Sequence, residues 1–152
     1  MFWKVLVVLL AMAAVLFFGK TFTDSGMGWY ATLTKPALTP PGIWFSIVWV
    51  TIYVLITICV IRVWHRKMPG YRVILTVFVI NGIFNVAWSY LFFVQHAMLW
   101  AFADLVLLWI TICYLIALLR LVSRWDHLLL LPYALWVAYA GYLNLAYWLI
   151  NT

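Results

Sequence analysis

The amino-acid sequence predicts an all-α integral membrane protein in which residues 1–152 form one domain, a bundle of five transmembrane helices. The composition supports this fold class, because the chain is 70% hydrophobic and 8% charged, whereas soluble domains carry about 25% charged residues. The distribution of charge supports it as well. Residues 73–103 contain no Asp, Glu, Lys or Arg, and this run exceeds the roughly 20 apolar residues that a membrane-spanning helix needs.

The first helix is predicted at residues 2–22. Lys4 and the apolar residues after it resemble a secretory signal peptide. However, the apolar stretch continues through residues 15–18, beyond a plausible cleavage point, and Lys4 and Lys20 can extend to the two membrane surfaces. We therefore expect a retained first span.

One long, Pro-rich loop is predicted at Thr23–Pro41, where glycines, prolines and polar residues are concentrated. The second helix is predicted at residues 42–65, directly after this loop. The other helices are separated by turns of a few residues and are predicted at residues 71–94, 97–120 and 127–150. Gln95 and His96 are the polar break between the third and fourth helices. Short turns require neighbouring helices to pack antiparallel.

The basic residues are distributed unevenly between the two ends of such a bundle. One end has only Lys20 and Lys35, and the other has Lys4, Arg62, Arg66, Lys67, Arg72, Arg120 and Arg124. Basic residues mark the cytoplasmic side. For a bacterial plasma membrane this predicts a cytoplasmic N-terminus, with the long loop and the C-terminus outside.

Several function classes have no support in the sequence. The net charge of +6 is confined to helix ends, so no basic face for nucleic acid is expected. No Gly-rich phosphate loop, carboxylate pair or Ser-His-Asp set is present. We expect no metal site, because the three histidines, His65, His96 and His127, lie at helix ends. Cys59 and Cys113 lie in apolar runs and are expected to be free thiols.

Three helices each carry an aromatic face at helical spacing. The second helix has Phe45, Trp49 and Tyr53. The third has Asn81, Asn85, Trp88 and Phe92. The fifth has Tyr133, Trp136, Ala140, Asn144 and Tyr147. If these faces converge, they enclose a cavity with flat aromatic walls and a few amide groups.

The same residues also allow a purely structural interpretation. Buried tryptophans such as Trp49, Trp88 and Trp136 often only pack, and a buried Asn often only joins helices, at about 1 kcal/mol or less. Asp104, the one acid deep in a span, is open to two interpretations. It is either a proton or substrate relay, or a structural carboxyl group that bonds to Thr111 or to a neighbouring helix; the structural interpretation is favoured.

Three segments together resemble a known family. The loop contains WY…L…KP…PP at residues 29–41, the third helix contains NVAWSYLFF at residues 85–93, and the fifth contains LPYALWVAYAGYLN at residues 131–144. These segments are similar to the translocator protein family, also called the TspO/MBR, peripheral-type benzodiazepine receptor or tryptophan-rich sensory protein family. The resemblance covers nearly the whole chain.

The resemblance implies a five-helix membrane protein, commonly a homodimer, that binds porphyrins without requiring a cofactor. The positions that match the family's ligand site are Pro40, Pro41, Trp49, Tyr53, Asn85, Trp88, Trp136 and Ala140. The resemblance also implies possible light-dependent porphyrin degradation, with Trp49 and Trp136 as the catalytic candidates. Leu145 and Leu149 stand where animal members have the Tyr and Arg of a cholesterol motif, so cholesterol binding loses its support.

The function expected from residues and resemblance together is binding of a porphyrin or a similar flat, hydrophobic ligand, in tetrapyrrole sensing, trafficking or disposal. The macrocycle is expected to stack on Trp49 and Trp136. Light-dependent degradation and small-molecule transport are the alternatives. The complete expected ligand site is Pro40, Pro41, Phe45, Trp49, Tyr53, Asn81, Asn85, Trp88, Tyr133, Trp136, Ala140 and Asn144.

Overall fold

A computed structural model describes residues 2–152, and in that range the chain is helical without a strand. The main helices are α1 (Phe2–Thr32), α2 (Gly42–Arg66), α3 (Tyr71–Ser89), α4 (Met98–Val122) and α5 (Leu131–Asn151). A π-helical turn, Tyr90–Val94, extends α3, and a 3-10 turn, Asp126–Leu130, precedes α5. Within the described residues, five helical segments are long and apolar enough to cross a bilayer. The predicted fold class is confirmed.

The centre of the bundle is α4, which packs against both α3 and α5. Its buried face follows the three- and four-residue spacing of a helix and consists mainly of Leu105, Leu108, Ile112, Leu115 and Leu119. By contrast, α1 lies at the periphery against α2 and α3, and its buried residues are Val8 and Gly26. Most of α1 is therefore exposed on the outside of the bundle.

Four of the predicted helices agree with the structure to within a few residues, but the end of the first one was wrong. The predicted helix ended at residue 22, whereas α1 continues to Thr32 and the connecting loop shortens to residues 33–41. The hydroxyl groups of Ser25 and Thr32 donate hydrogen bonds to carbonyls one turn earlier, both at 2.7 Å. Lys20 pairs with Asp24 at 2.5 Å, one turn apart. Polar residues that predicted a loop are thus satisfied within a helix.

Close packing of α1 against the π-helical turn depends on Gly26. A Cβ atom at this position would lie 2.2 Å from the carbonyl oxygen of Phe93. Gly28, two residues further along the same helix, has no neighbouring atom within 4 Å of such a Cβ. The tertiary contact therefore requires glycine at position 26 and not at position 28.

The short α3–α4 turn is fixed to α1 by a ring stack. The amide of Gln95 donates to the Tyr90 carbonyl at 3.0 Å, which closes the π-helical turn. His96 follows with φ 54°, in the left-handed region. Its ring stacks on Trp29 with 4.1 Å between ring centroids and 15° between planes.

At the opposite end, a buried ion pair joins α2 to the start of the 3-10 turn. The Asp126 side chain is 1% exposed and its Oδ1 contacts Nε of Arg62. Ser123 donates to Asp126 Oδ2 at 2.6 Å and accepts from the Asp126 amide at 3.2 Å. Because the carboxylate has an ionic partner and accepts a hydrogen bond from Ser123, its burial is compensated.

We predict that Gly26→Ala destabilises the protein by about 1–3 kcal/mol, the usual cost of overpacking, because the added methyl group displaces the backbone of Phe93. Gly28→Ala is the matched control, and it should be neutral or stabilising by up to about 1 kcal/mol through helix propensity. The measurement is the free energy of unfolding in mixed detergent micelles. Equal stability of the two variants would contradict the packing argument.

Candidate functional site

The three aromatic faces predicted from helical spacing meet inside the bundle. The ring of Trp49 lies edge-on to Tyr133, with 6.2 Å between centroids, and joins α2 to α5. Phe45 and Trp136 repeat this contact closer to the loop, at 5.2 Å. These contacts join the faces of α2 and α5, and hydrogen bonds from Asn85 and Trp88 join the face of α3 to them, so the predicted convergence of the three faces is confirmed.

Below the middle of the bundle, the polar groups of these faces bond to one another. Tyr53 donates to Asn85 Oδ1 at 2.6 Å, and Asn85 Nδ2 donates to the Tyr133 hydroxyl at 3.3 Å. That hydroxyl donates in turn to Asn81 Oδ1 at 3.0 Å, and Asn81 Nδ2 donates to Thr111 at 2.8 Å. This chain of hydrogen bonds links α2, α3, α4 and α5. It closes the deep part of the interior.

A second set of hydrogen bonds lies nearer the loop. Trp88 Nε1 donates to Asn144 Oδ1 at 3.0 Å, and Asn144 Nδ2 donates to the carbonyl of Met98 at 2.7 Å. The Asn144 side chain thus uses both ends of its amide, one toward α3 and one toward α4. Trp88 is held by this bond with its ring stacked on Phe92 at 5.8 Å.

Above this level the helices separate and leave a cavity of about 450 Å³ beneath the loop. This volume falls within the roughly 300–1,000 Å³ of small-molecule sites. The walls come from the end of α1, the loop, the start of α2, the end of α3 and α5. Aromatic side chains form much of the lining, namely Tyr30, Phe45, Trp88, Phe92, Phe93 and Tyr147.

The loop over the cavity is fastened to α5 by hydrogen bonds. The Tyr147 hydroxyl bonds to that of Tyr30 at 2.6 Å and to Thr39 at 3.3 Å. Asn151 accepts from the Thr34 amide at 2.8 Å and donates to the Thr34 carbonyl at 3.1 Å. The loop is therefore a structured cover, closed over one side of the cavity.

Two charged side chains, Lys35 and Asp24, line the cavity mouth. Lys35 lies over the ring of Tyr30, with its Nζ 5.7 Å from the ring centroid. Asp24 is paired with Lys20. Among residues 2–152, Lys35 has no ion-pair partner. Its charge is therefore available to an acidic ligand at the mouth.

Comparison with known proteins identifies the family. The model of the TspO/MBR family matches residues 6–149. The chain belongs to this family. Since that match covers nearly all the residues that form the bundle, the helices, the loop and the cavity all lie inside the family region.

Named relatives extend across bacteria and animals. The chain is 37% identical to the Tryptophan-rich protein TspO of Chlorobaculum tepidum, over 86% of this chain and 85% of that one. It is 35% identical to the protein of the same name from Bacillus cereus, over 81% and 80%. It is also 32% identical to the Translocator protein of Bos taurus, over 89% and 82%.

The expected ligand residues fall into two groups in this TspO/MBR chain. Those that line the cavity are Pro40, Phe45, Trp88, Ala140 and Asn144. The lining does not include Pro41, Trp49, Tyr53, Asn81, Asn85, Tyr133 or Trp136. The polar members of the second group belong to the deep hydrogen-bonded chain. Trp136 packs against the lining residue Phe45, whereas Trp49 packs against Tyr53 and Tyr133, which do not line the cavity. The macrocycle was expected to stack on these two tryptophans, but neither faces the cavity.

Sequence reasoning missed the contribution of α1. Thr23, Met27, Tyr30 and Ala31 line the cavity, yet the predicted loop removed them from any helix. Tyr147 lies on the predicted face of α5 and was left out of the expected site. The missed signal was the four-residue spacing of Thr23, Met27 and Ala31, which places them on one side of a helix.

Asp104 lies apart from this site. It is buried in α4, and its Oδ2 has no hydrogen-bond partner among residues 2–152. The expected bond of Asp104 to Thr111 or to a neighbouring helix is not among the hydrogen bonds of residues 2–152, and Thr111 instead donates to the Leu108 carbonyl at 2.7 Å and accepts from Asn81. Asp104 does not line the cavity, so a ligand held there would not contact the carboxyl group.

We predict that Asn151→Ala increases the hydrogen-exchange rate of the Thr34 amide about fivefold, because it removes a hydrogen bond worth about 1 kcal/mol. Thr152→Ala is the control at the same helix end, since the Thr152 hydroxyl bonds back to Trp148 in its own helix. Exchange monitored by mass spectrometry tests this. Identical exchange in both variants would show that Asn151 does not hold the loop.

Proposed function

We propose that this protein is a membrane receptor for porphyrins and similar flat, hydrophobic ligands, and that it acts in tetrapyrrole sensing, trafficking or disposal. The observation that supports this most directly is the cavity of about 450 Å³ beneath the loop, with its aromatic lining. A flat conjugated ring system gains most from such walls, because aromatic rings pair through stacked or edge-on contacts worth about 0.5–1.5 kcal/mol each beyond burial.

The ring of the ligand is proposed to lie against Phe45 and Trp88. These two side chains line the cavity from α2 and α3. Trp88 is held by its bond to Asn144, and Phe45 by its edge-on contact with Trp136. Trp136 thus supports the cavity wall from behind.

The acidic groups of the ligand are proposed to lie at the mouth, near Lys35. A porphyrin carries carboxylates at one edge and is apolar elsewhere, so it needs a cation where the cavity opens. Lys35 supplies that cation, and Thr39 lies beside it in the lining with a hydroxyl group. In this pose the polar edge of the ligand lies at the polar mouth of the cavity, and its apolar ring lies against the aromatic walls.

The proposed location is a bacterial plasma membrane, with the N-terminus in the cytoplasm and the loop and C-terminus outside. The uneven distribution of basic residues between the two ends of the bundle supports this orientation. The cavity mouth would then open on the outer side.

We predict that Ala140→Phe weakens protoporphyrin binding roughly tenfold or more, a loss of at least about 1.4 kcal/mol, because the new ring occupies the cavity beside Asn144. Ala138→Phe is the matched control, since Ala138 is exposed on the same helix and outside the lining. Quenching of tryptophan fluorescence by micromolar protoporphyrin measures the Kd. Equal affinities in the two variants would exclude this cavity as the binding site.

We also predict that Lys35→Gln weakens binding of protoporphyrin about two- to fivefold, the range expected for one solvent-exposed ion pair. Binding of the protoporphyrin dimethyl ester, which has no carboxylate, should not change. Arg120→Gln is the control, because Arg120 is exposed at the opposite end of the bundle and does not line the cavity. An equal loss for acid and ester would place the carboxylates elsewhere.

A further inference from the structure

A second concave surface lies on the lipid-facing side of α1, away from the cavity beneath the loop. It is a groove of about 630 Å³ between α1, α2 and α3. Every side chain that lines it is apolar. The lining includes Val7, Ala11, Val15 and Phe18 from α1, and Leu75 and Gly82 from α3.

The dimensions of the groove suit a single acyl chain. On α1 its lining extends from Val7 to Phe18, a rise of about 16 Å. This is about half of the roughly 30 Å hydrocarbon core, the depth of one leaflet. The volume spread over that length leaves a cross-section of about 40 Å², whereas a helix of diameter about 10–12 Å needs at least twice as much.

Basic side chains gather at one end of this groove. Arg72 donates from Nε to the Tyr71 hydroxyl at 3.4 Å, and Lys67 caps the end of α2, three residues after Trp64. Lys4 also donates to the carbonyl of Trp64 at 3.2 Å. Since Trp64 and Val7 both line the groove, this basic cluster of Lys4, Lys67 and Arg72 stands at its end.

The charge of the basic cluster is not neutralised by protein. Among residues 2–152 the ion pairs are Lys20–Asp24 and Arg62–Asp126, and neither involves the cluster. The neighbouring rings of Trp3 and Trp64 meet edge-on with 5.1 Å between centroids. Tryptophans at a helix end mark the level of the lipid headgroups, so the cluster lies where a headgroup would lie.

We infer that the groove binds one phospholipid with a negatively charged headgroup, its acyl chain along α1 and α3 and its phosphate at the basic cluster. An apolar groove alone accepts any lipid. Selectivity comes from the cluster, because each Lys or Arg near an anionic headgroup strengthens binding about fivefold. A zwitterionic lipid has the same chains without the net charge and binds more weakly.

The test is native mass spectrometry of the purified full chain, titrated with phosphatidylglycerol or phosphatidylcholine that have identical acyl chains. We expect the first phosphatidylglycerol to bind roughly a hundredfold more tightly than phosphatidylcholine, since each of the three basic residues contributes about fivefold. The combined variant Lys4→Gln, Lys67→Gln, Arg72→Gln should lose this preference. Arg120→Gln with Arg124→Gln is the control, because both arginines are exposed at the same end of the bundle and should leave the preference intact.

A second variant tests the acyl chain separately from the headgroup. Gly82→Leu is compatible with the fold, since a Cβ there meets Val15 at an ordinary 3.5 Å, but the rest of the side chain fills the groove. It should weaken both lipids equally. Ala103→Leu, on the exposed side of α4, should weaken neither.

Three results would overturn the inference. The first is equal affinity of the protein for the two lipids. The second is a preference for phosphatidylglycerol that persists in the combined Lys4, Lys67 and Arg72 variant, or that is lost equally in the Arg120 and Arg124 control. The third is a disulfide-linked dimer formed by Ala14→Cys in a Cys113→Ala background. Ala14 lines the groove, so such a dimer would show that a second copy of the chain covers it.

Discussion

Most buried polar side chains of this bundle bond to a partner within the protein, Asp104 Oδ2 being an exception, and these bonds organise the bundle. Hydrocarbon offers no hydrogen bonds, so an unpaired amide there costs several kcal/mol. The amide side chains of Asn81, Asn85 and Asn144 bond to partners on neighbouring helices. Together these bonds join α2, α3, α4 and α5. Because an amide bonds only in particular directions, these residues set the rotation of each helix about its axis. Apolar packing alone, against lipid that is equally apolar, would leave that rotation loosely defined.

The same hydrogen bonds decide where a ligand can enter. In the deep part of the bundle, Tyr53, Asn85 and Tyr133 bond directly to one another across three helices. The cavity lies toward the loop, where aromatic rings and polar side chains such as Thr39 and Asn144 line it together. Helix α5 contributes to both regions and also holds the loop through Tyr147 and Asn151. Closing the loop, shaping the cavity and packing the interior therefore depend on one helix.

The spans and their inward faces could be predicted from sequence, because apolar length and helical spacing are local properties. The end of α1 could not. Residues 23–32 have the composition of a loop, and their helical state depends on the contact of Gly26 with Phe93, which is 67 positions away along the chain. The exact lining of the cavity could not be predicted either, since Trp49 and Trp136 lie outside it. Helical spacing places Trp49 and Trp136 on inward faces. It does not specify which side chains their rings contact, because that depends on the hydrogen bonds between helices.

The length of α1 also gives the cavity its position in the membrane. A helix of 31 residues is about 46 Å long, and roughly 30 Å of hydrocarbon accounts for only two thirds of it. The last turns, with Tyr30 and Ala31 in the cavity wall, therefore rise into the layer where water and headgroups mix. A porphyrin bound as proposed would have its rings in the hydrocarbon layer and its carboxylates in water. It could therefore exchange with the aqueous phase without crossing the bilayer.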